Sequence, residues 1–218
     1  MAKNSKQFVV LGLGKFGTSV ARTLVSGGHE VLAIDKNEEI VRYFSENATY
    51  AVQADITNKE ALKELGVNNF DVGIVAVGDN IESSILATVL LKELGVEYVV
   101  AKAHNEIHKK ILEKIGADKV VFPEQEMGVR IATNLINKNI IDIMAFSEDY
   151  KIVEVSVKKE WVGKDMKVLD LRKKHDMNVI AIKNSLDKMT ISPSAEYIMR
   201  EDDILVAIVN NHIGEEVF

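Results

Sequence analysis

The first two thirds of the chain alternate between short runs that are apolar at every position and longer segments with apolar residues three or four apart. The apolar runs are Phe8–Leu11, Val31–Ile34, Tyr50–Val52, Val72–Val77, Tyr98–Ala101 and Lys119–Phe122. A strand that is apolar on both sides is covered on both faces, as in a parallel sheet. Helical periodicity marks Thr18–Ser26, Glu38–Glu46, Lys59–Leu65 and Ile81–Leu94 between those runs. Strands alternating with helices predict an α/β fold, a Rossmann-like doubly wound parallel sheet. Gly27-Gly28, Gly95 and Gly116 follow helical runs and fit C-terminal caps.

The pattern changes after Pro123. A helical stretch covers roughly Glu124 to Asn139, and an apolar run, Ile140 to Phe146, follows. Ile152–Val157 alternates apolar with polar, as a half-exposed strand does. A short helix is expected around Lys167–Lys174, then strands at Asn178–Ile182, Lys188–Ser192 and Asp203–Val209. This describes a small α+β domain of fewer than about 80 residues. The polar break Ser147-Glu148-Asp149 sets the boundary: 1–147 for the α/β domain with the helical stretch after its sheet, 148–218 for the second domain.

Composition narrows the chemistry. Apolar residues are 47% and charged residues 28% of 218, a mixture that buries a real core. The net charge is −6, and basic residues cluster only as pairs such as Lys109-Lys110 and Lys173-Lys174. A reader of nucleic-acid phosphates needs a basic stripe, so nucleic acid is not an expected partner. The chain has no cysteine, which excludes disulfides, thiolate metal sites and thiol catalysis. No signal peptide is expected, because the first residues lead directly into a strand. No apolar stretch reaches the ~18–20 residues of a membrane helix, so membrane association is expected only through a partner.

Gly12-Leu13-Gly14-Lys15-Phe16-Gly17 is a GxGxxG sequence between the first strand and the first helix. Its glycines allow a tight turn, close approach of a phosphate, and close helix–strand packing. The helix N-terminus offers free N–H donors to that phosphate. Asp35, about 20 residues on, ends the second strand and suits both ribose hydroxyls of NAD or an adenine nucleotide without a 2′-phosphate. Lys36 follows it. Asp55 ends the third strand and Gly78-Asp79-Asn80 follows the fourth, all at the crevice edge. Asp55 and Asp79 are either nucleotide contacts or simple loop and cap residues; Asp79 or Asn80 suits the cap of the next helix. His104 and His108 lie four apart, but the sequence matches neither zinc-hydrolase pattern, and surface or capping roles fit better. No Walker A loop is present, and spacing assembles no Ser-His-Asp constellation. Ile81–Leu94 is apolar over a wide arc, through Ile85, Leu86, Val89, Leu90 and Leu91. It is either wedged within the domain or carries a second face for another subunit.

Several segments together resemble a known family. They are the glycine loop, Val77-Gly78-Asp79-Asn80-Ile81-Glu82-Ser83-Ser84, Leu90–Gly95, Lys102-Ala103-His104-Asn105, Lys114–Asp118 and Pro123-Glu124-Gln125-Glu126-Met127-Gly128. The chain resembles, over essentially its whole length, the cytosolic RCK (regulator of K⁺ conductance) subunits of bacterial Ktr/Trk potassium transporters. The resemblance implies an RCK N-domain and an RCK_C domain, dimers assembling into a homo-octameric ring, and a membrane potassium channel subunit as partner. It places the protein in the cytoplasm, on the inner face of the membrane. It implies gating by ATP and ADP, with NAD(H) also bound in the family. Gly12, Gly14, Gly17, Asp35 and Asp55 match nucleotide contacts, and Lys15, Phe16, Lys36, Gly78, Asp79 and Lys102 join them. Lys15 stands where the family often carries arginine, keeping the charge without the bidentate fork. Glu124 matches a carboxylate that approaches Mg²⁺ or Ca²⁺ at the nucleotide. Many relatives bind cyclic di-AMP at an RCK_C dimer interface. Val168, Leu171, Arg172, His175, Asn178, Val179, Ile180 and Pro193 resemble that pocket, or they form an ordinary helix and strand. The reading from a different class is an NAD-dependent oxidoreductase, for which the second domain offers no hydride-relay base. A DNA-binding redox repressor would need a winged helix and a basic face.

Overall fold

The protein is described by a computed structural model covering residues 6–45, 50–78, 80–136, 140–147, 149–186 and 188–212. The chain divides into two compact units, Met1–Pro123 and Glu124–Phe218.

The first unit runs β1 (Gln7–Leu11), α1 (Lys15–Ser26), β2 (Glu30–Asp35), α2 (Glu38–Ser45), β3 (Tyr50–Gln53), α3 (Lys59–Glu64), β4 (Val72–Val75), α4 (Ile81–Glu93), β5 (Tyr98–Lys102), α5 (Glu106–Lys114) and β6 (Lys119–Val121). Its six strands lie in the order β3-β2-β1-β4-β5-β6, all parallel. Alternate residues of each strand feed two cores. Val9, Leu11, Leu32, Ile34, Val75 and Val99 pack with Leu62, Leu90, Leu91 and Leu112 on one face. Val10, Val31, Ala33 and Ile74 pack with Ala21, Val41 and Phe44 on the other. Order reverses between β1 and its neighbours, so the strand C-termini open a crevice there. α4 buries Ala87, Leu90 and Leu91 and leaves Leu86 41% exposed.

The second unit contains α6 (Pro123–Ile136, its first residue belonging to the first unit), β7 (Ile140–Ala145), β8 (Tyr150–Ser156), α7 (Met166–Leu169), α8 (Leu171–His175), β9 (Asn178–Lys183), β10 (Met189–Ile191) and β11 (Ile204–Asn210). Its sheet has the order β10-β9-β11-β8-β7, antiparallel throughout. Val153, Val155, Trp161, Leu171, Met177, Leu205 and Ala207 form its core.

Three local differences from the sequence reading have physical causes. The apolar run from Ile140 is a strand, and it pairs with β8. The expected boundary near Ser147 is therefore a hairpin turn inside the second sheet, where the Ser147 hydroxyl accepts from the Asp149 and Tyr150 amides at 3.3 and 3.1 Å. A polar turn and a polar linker look alike in sequence. The expected helix over 167–174 is broken at Asp170, which sits at φ 45° between α7 and α8.

Candidate functional site

β1 delivers the chain to Gly12, whose φ of 96° makes the turn and whose N–H donates to Ile34 O at 2.8 Å. A Cβ at Gly17 would stand 1.9 Å from Gly12 O and 2.9 Å from the Ala76 Cβ, so α1 packs against the strand loop only with glycine there. A Cβ at Gly14 would meet nothing within 4 Å. That open space lies at the N-cap of α1, which has no side-chain cap and no acid in its first turn. Free amides, a positive helix end and open space suit a phosphate.

Asp35 is fixed from two sides. Its Oδ2 accepts from Leu13 N at 2.7 Å and its Oδ1 from Asn37 N at 2.9 Å. Each carboxylate oxygen keeps acceptor capacity for a ribose hydroxyl. Across the groove, Asp55 Oδ1 accepts from the Thr57 hydroxyl at 2.7 Å and the Thr57 amide at 2.9 Å. Those two donors hold the Asp55 carboxyl below its usual range, against a small opposing effect of burial, and Lys36 adds to the lowering.

A cavity of about 400 Å³ brings Gly12, Gly14, Asp35, Lys36 and Asp55 together with Ile40, Ile56, Thr57, Ala76, Val77, Asn80 and Ser83. Its size is that of a small-ligand site. Lys15 instead lines a neighbouring groove between α1 and α2, where Arg22 sits 5.6 Å over the Tyr43 ring. Phe16, Gly78 and Lys102 form a separate group. The Lys102 ammonium lies 6.0 Å from the Phe16 ring centroid and 3.2 Å from where a Gly78 Cβ would stand. Asp79 lies outside the described residues. Glu124 is in the first turn of α6, in the second unit. Among the described residues no group of three or more His, Cys, Asp and Glu side chains could hold a metal.

Thr57, Ile40 and Ile56 were not singled out in the sequence, and Val77 and Ser83 entered only as members of a resembling segment, without a site role. The Asp55-Ile56-Thr57 order was the available signal for Thr57, since an aspartate two residues before a threonine favours this turn. The histidine pair resolves as a cap. Asn105 Oδ1 accepts from His108 N at 2.8 Å, and His108 Nδ1 accepts from His104 N at 3.2 Å. His108 is buried at 1% exposure, and no partner among the described residues reaches its Nε2. Asn80 likewise caps α4, accepting from Ser83 N at 2.9 Å.

In the second unit Val168, Arg172 and Asn178 are exposed, and His175, Val179, Ile180 and Pro193 are half-buried. Leu171 is 3% exposed and belongs to the core, so it offers no surface to a base. His175 packs against Trp161 with ring centroids 6.0 Å apart.

Residues 8–123 match the TrkA-N domain model and residues 151–218 the TrkA-C domain model. The chain belongs to the Ktr/Trk potassium-uptake family. Ktr system potassium uptake protein A of Bacillus subtilis is 45% identical over 202 residues, 93% of this chain and 90% of the relative. Protein C of the same system and organism is 42% identical over 203 residues, 93% and 91% of the two chains. This Ktr/Trk family member also shares its fold with the GsuK channel, at a TM-score of 0.68 and 17% identity over 97% of this chain and 38% of that one. The NAD-bound GsuK channel gives 0.66 at 16% identity, again over 97% and 38%. No helix among the described residues is long and apolar enough to cross a membrane.

Proposed function

We propose that this Ktr/Trk family member is a non-catalytic, adenine-nucleotide-sensing subunit that gates a membrane potassium channel or transporter. The observation that carries the reading is the groove where the open Gly14 helix end and the doubly anchored Asp35 face the same cavity. GsuK structures with NAD and with ADP belong to the same fold, which supports a nucleotide there. ATP and ADP compete for the groove, with NAD(H) as a third occupant. Lys15 and Lys102 supply positive charge for the terminal phosphates, and Glu124 joins the ATP phosphates in holding Mg²⁺ or Ca²⁺. The subunit works as dimers in a homo-octameric ring, bound at the cytoplasmic membrane face through its channel partner. Cyclic di-AMP is a second ligand, bound between RCK_C domains with Arg172 pairing its phosphates. The names of the two Bacillus subtilis relatives, both potassium uptake proteins, support a role in potassium uptake rather than an oxidoreductase role.

Calorimetry with ATP, ADP and NAD on the full chain tests the groove. Asp35→Ala should weaken all three alike, because all present the same ribose, by about 1.5–3 kcal/mol for a lost charge-assisted hydrogen bond. Unchanged affinity would remove Asp35 from the site. Light scattering on the same samples, with and without nucleotide, reads the assembly.

A further inference from the structure

The groove between α1 and α2 has a volume of about 700 Å³. It shares only a wall, Gly14 and Ile40, with the cavity at Asp35. Lys15, Ser19 and Arg22 follow one another at single-turn intervals along α1 and line one side. Glu39 and Tyr43, one turn apart on α2, line the other. Ile40 and Phe44 close the base, Phe44 at 1% exposure. Ser19 is small and leaves a gap between the two basic side chains.

The charge in this groove runs against that of the chain. The whole chain carries −6, yet the groove holds two cations and one acid. Lys15 and Arg22 form no ion pair with the described residues. Arg22 is steadied by the Tyr43 ring, whose centroid lies 5.6 Å from the guanidinium carbon. Stacking leaves the guanidinium N–H donors pointing outward in their plane, and none meets an acceptor among the described residues. Tyr43 is 64% exposed. Arginine and tyrosine are among the residue types that carry most of the energy at protein interfaces, and here each restricts the other before any partner arrives.

We propose that this groove docks an acidic linear segment of a partner protein, with one carboxylate at Lys15, a second at Arg22 and an apolar side chain between them over Ile40 and Tyr43. The spacing sets the class of occupant. Lys15 and Arg22 stand seven residues apart on α1. That is about 10 Å of helix, the span of about three or four residues of extended chain. A single small anion does not reach both cations, and a flat anionic surface leaves the apolar base unfilled. Glu39, on the opposite wall, repels an acid placed there and so fixes the side on which the segment lies. Lys15 also has the phosphate role given to it above, so the test leaves it unaltered. Docking here needs no nucleotide in the neighbouring cavity, and the two readings stand or fall separately.

Fluorescence anisotropy on the full chain, without nucleotide, tests the proposal. The probe is a labelled, blocked heptapeptide with two glutamates three residues apart and a leucine between them. The control peptide carries lysines in place of the glutamates. The glutamate peptide should bind about 10-fold tighter than the control or better, because the control sets like charges together. Arg22→Ala and Tyr43→Ala, both at exposed positions, should each weaken it by about 5-fold or more. Glu39→Gln should tighten it by about 2-fold, the opposite sign from a change that merely loosens the helices. A thermal melt of each variant confirms folding. Equal binding of the two peptides, or binding of neither, overturns the proposal. Glutamate-peptide binding that survives both Arg22→Ala and Tyr43→Ala places the peptide elsewhere and overturns it too. Sedimentation with phosphatidylglycerol vesicles, lost in Arg22→Ala while the peptide does not bind, would assign the groove to a membrane surface instead.

Discussion

At the scale of single residues, two glycines of one motif make opposite demands. Gly17 serves the fold, because a methyl there would overlap Gly12 O and crowd Ala76. Gly17→Ala should lower stability by about 1–3 kcal/mol, read as a drop in melting temperature without ligand. Gly14, on the proposed reading, serves the ligand. Its φ of −63° and ψ of −172° suit alanine, and a methyl there meets only open space. Gly14→Ala should keep the melting temperature and weaken ATP and ADP binding by about tenfold or more, since the methyl takes the room of a phosphate oxygen. A variant that melts normally and binds normally would move the phosphate elsewhere. The sequence shows both glycines but not this division of labour, which depends on what stands beside each one.

At the scale of elements, the parallel sheet was legible because its strands are apolar throughout, from Val9 to Val99. α5 was legible only through the cap at Gly116, because Glu106–Lys114 is mostly polar and one of its two buried residues, His108 beside Leu112, is a histidine. Burial, and to a lesser degree the nearby His104, lowers the pKa of His108 from the ordinary 6.5. Its Nδ1 must stay unprotonated to accept the His104 amide. A lowered folded-state pKa means the unfolded chain binds the proton more readily. The stability from this cap is thus complete above about pH 6.5 and is lost as the pH falls below that toward the folded value. Melting temperature should fall between pH 7 and pH 5.5. His108→Gln should be less stable at pH 7 and show a shallower fall; a slope equal to the wild type would place the titration elsewhere. The break at Asp170 escaped the sequence for a related reason. An aspartate at positive φ leaves no mark such as a glycine would. The burial of Leu171 follows from that break and not from spacing, which is why the proposed base-stacking surface was drawn one residue too wide.

At the scale of the whole molecule, each unit has its own sheet and its own core, and the two proposed ligands fall on different units. Arg172→Ala should abolish cyclic di-AMP binding and leave the ATP titration unchanged. Loss of both would show the two ligands sharing one site or one folding event. The two-domain organisation was legible in the change of hydrophobic period, but its position was not, because the hairpin turn at Ser147 reads as a linker. The Asp35 carboxylate has a last consequence, for timing. Two backbone amides already hold it before any ribose arrives, so an incoming nucleotide waits on no side-chain search and little ordering entropy is lost at the encounter. Arrival is then governed by diffusion and by charge near the groove, and residence time by how fast the ligand leaves. On the proposed reading, a subunit built this way follows a changing supply of nucleotide with a delay set by departure of the old ligand, not by reshaping of the empty site.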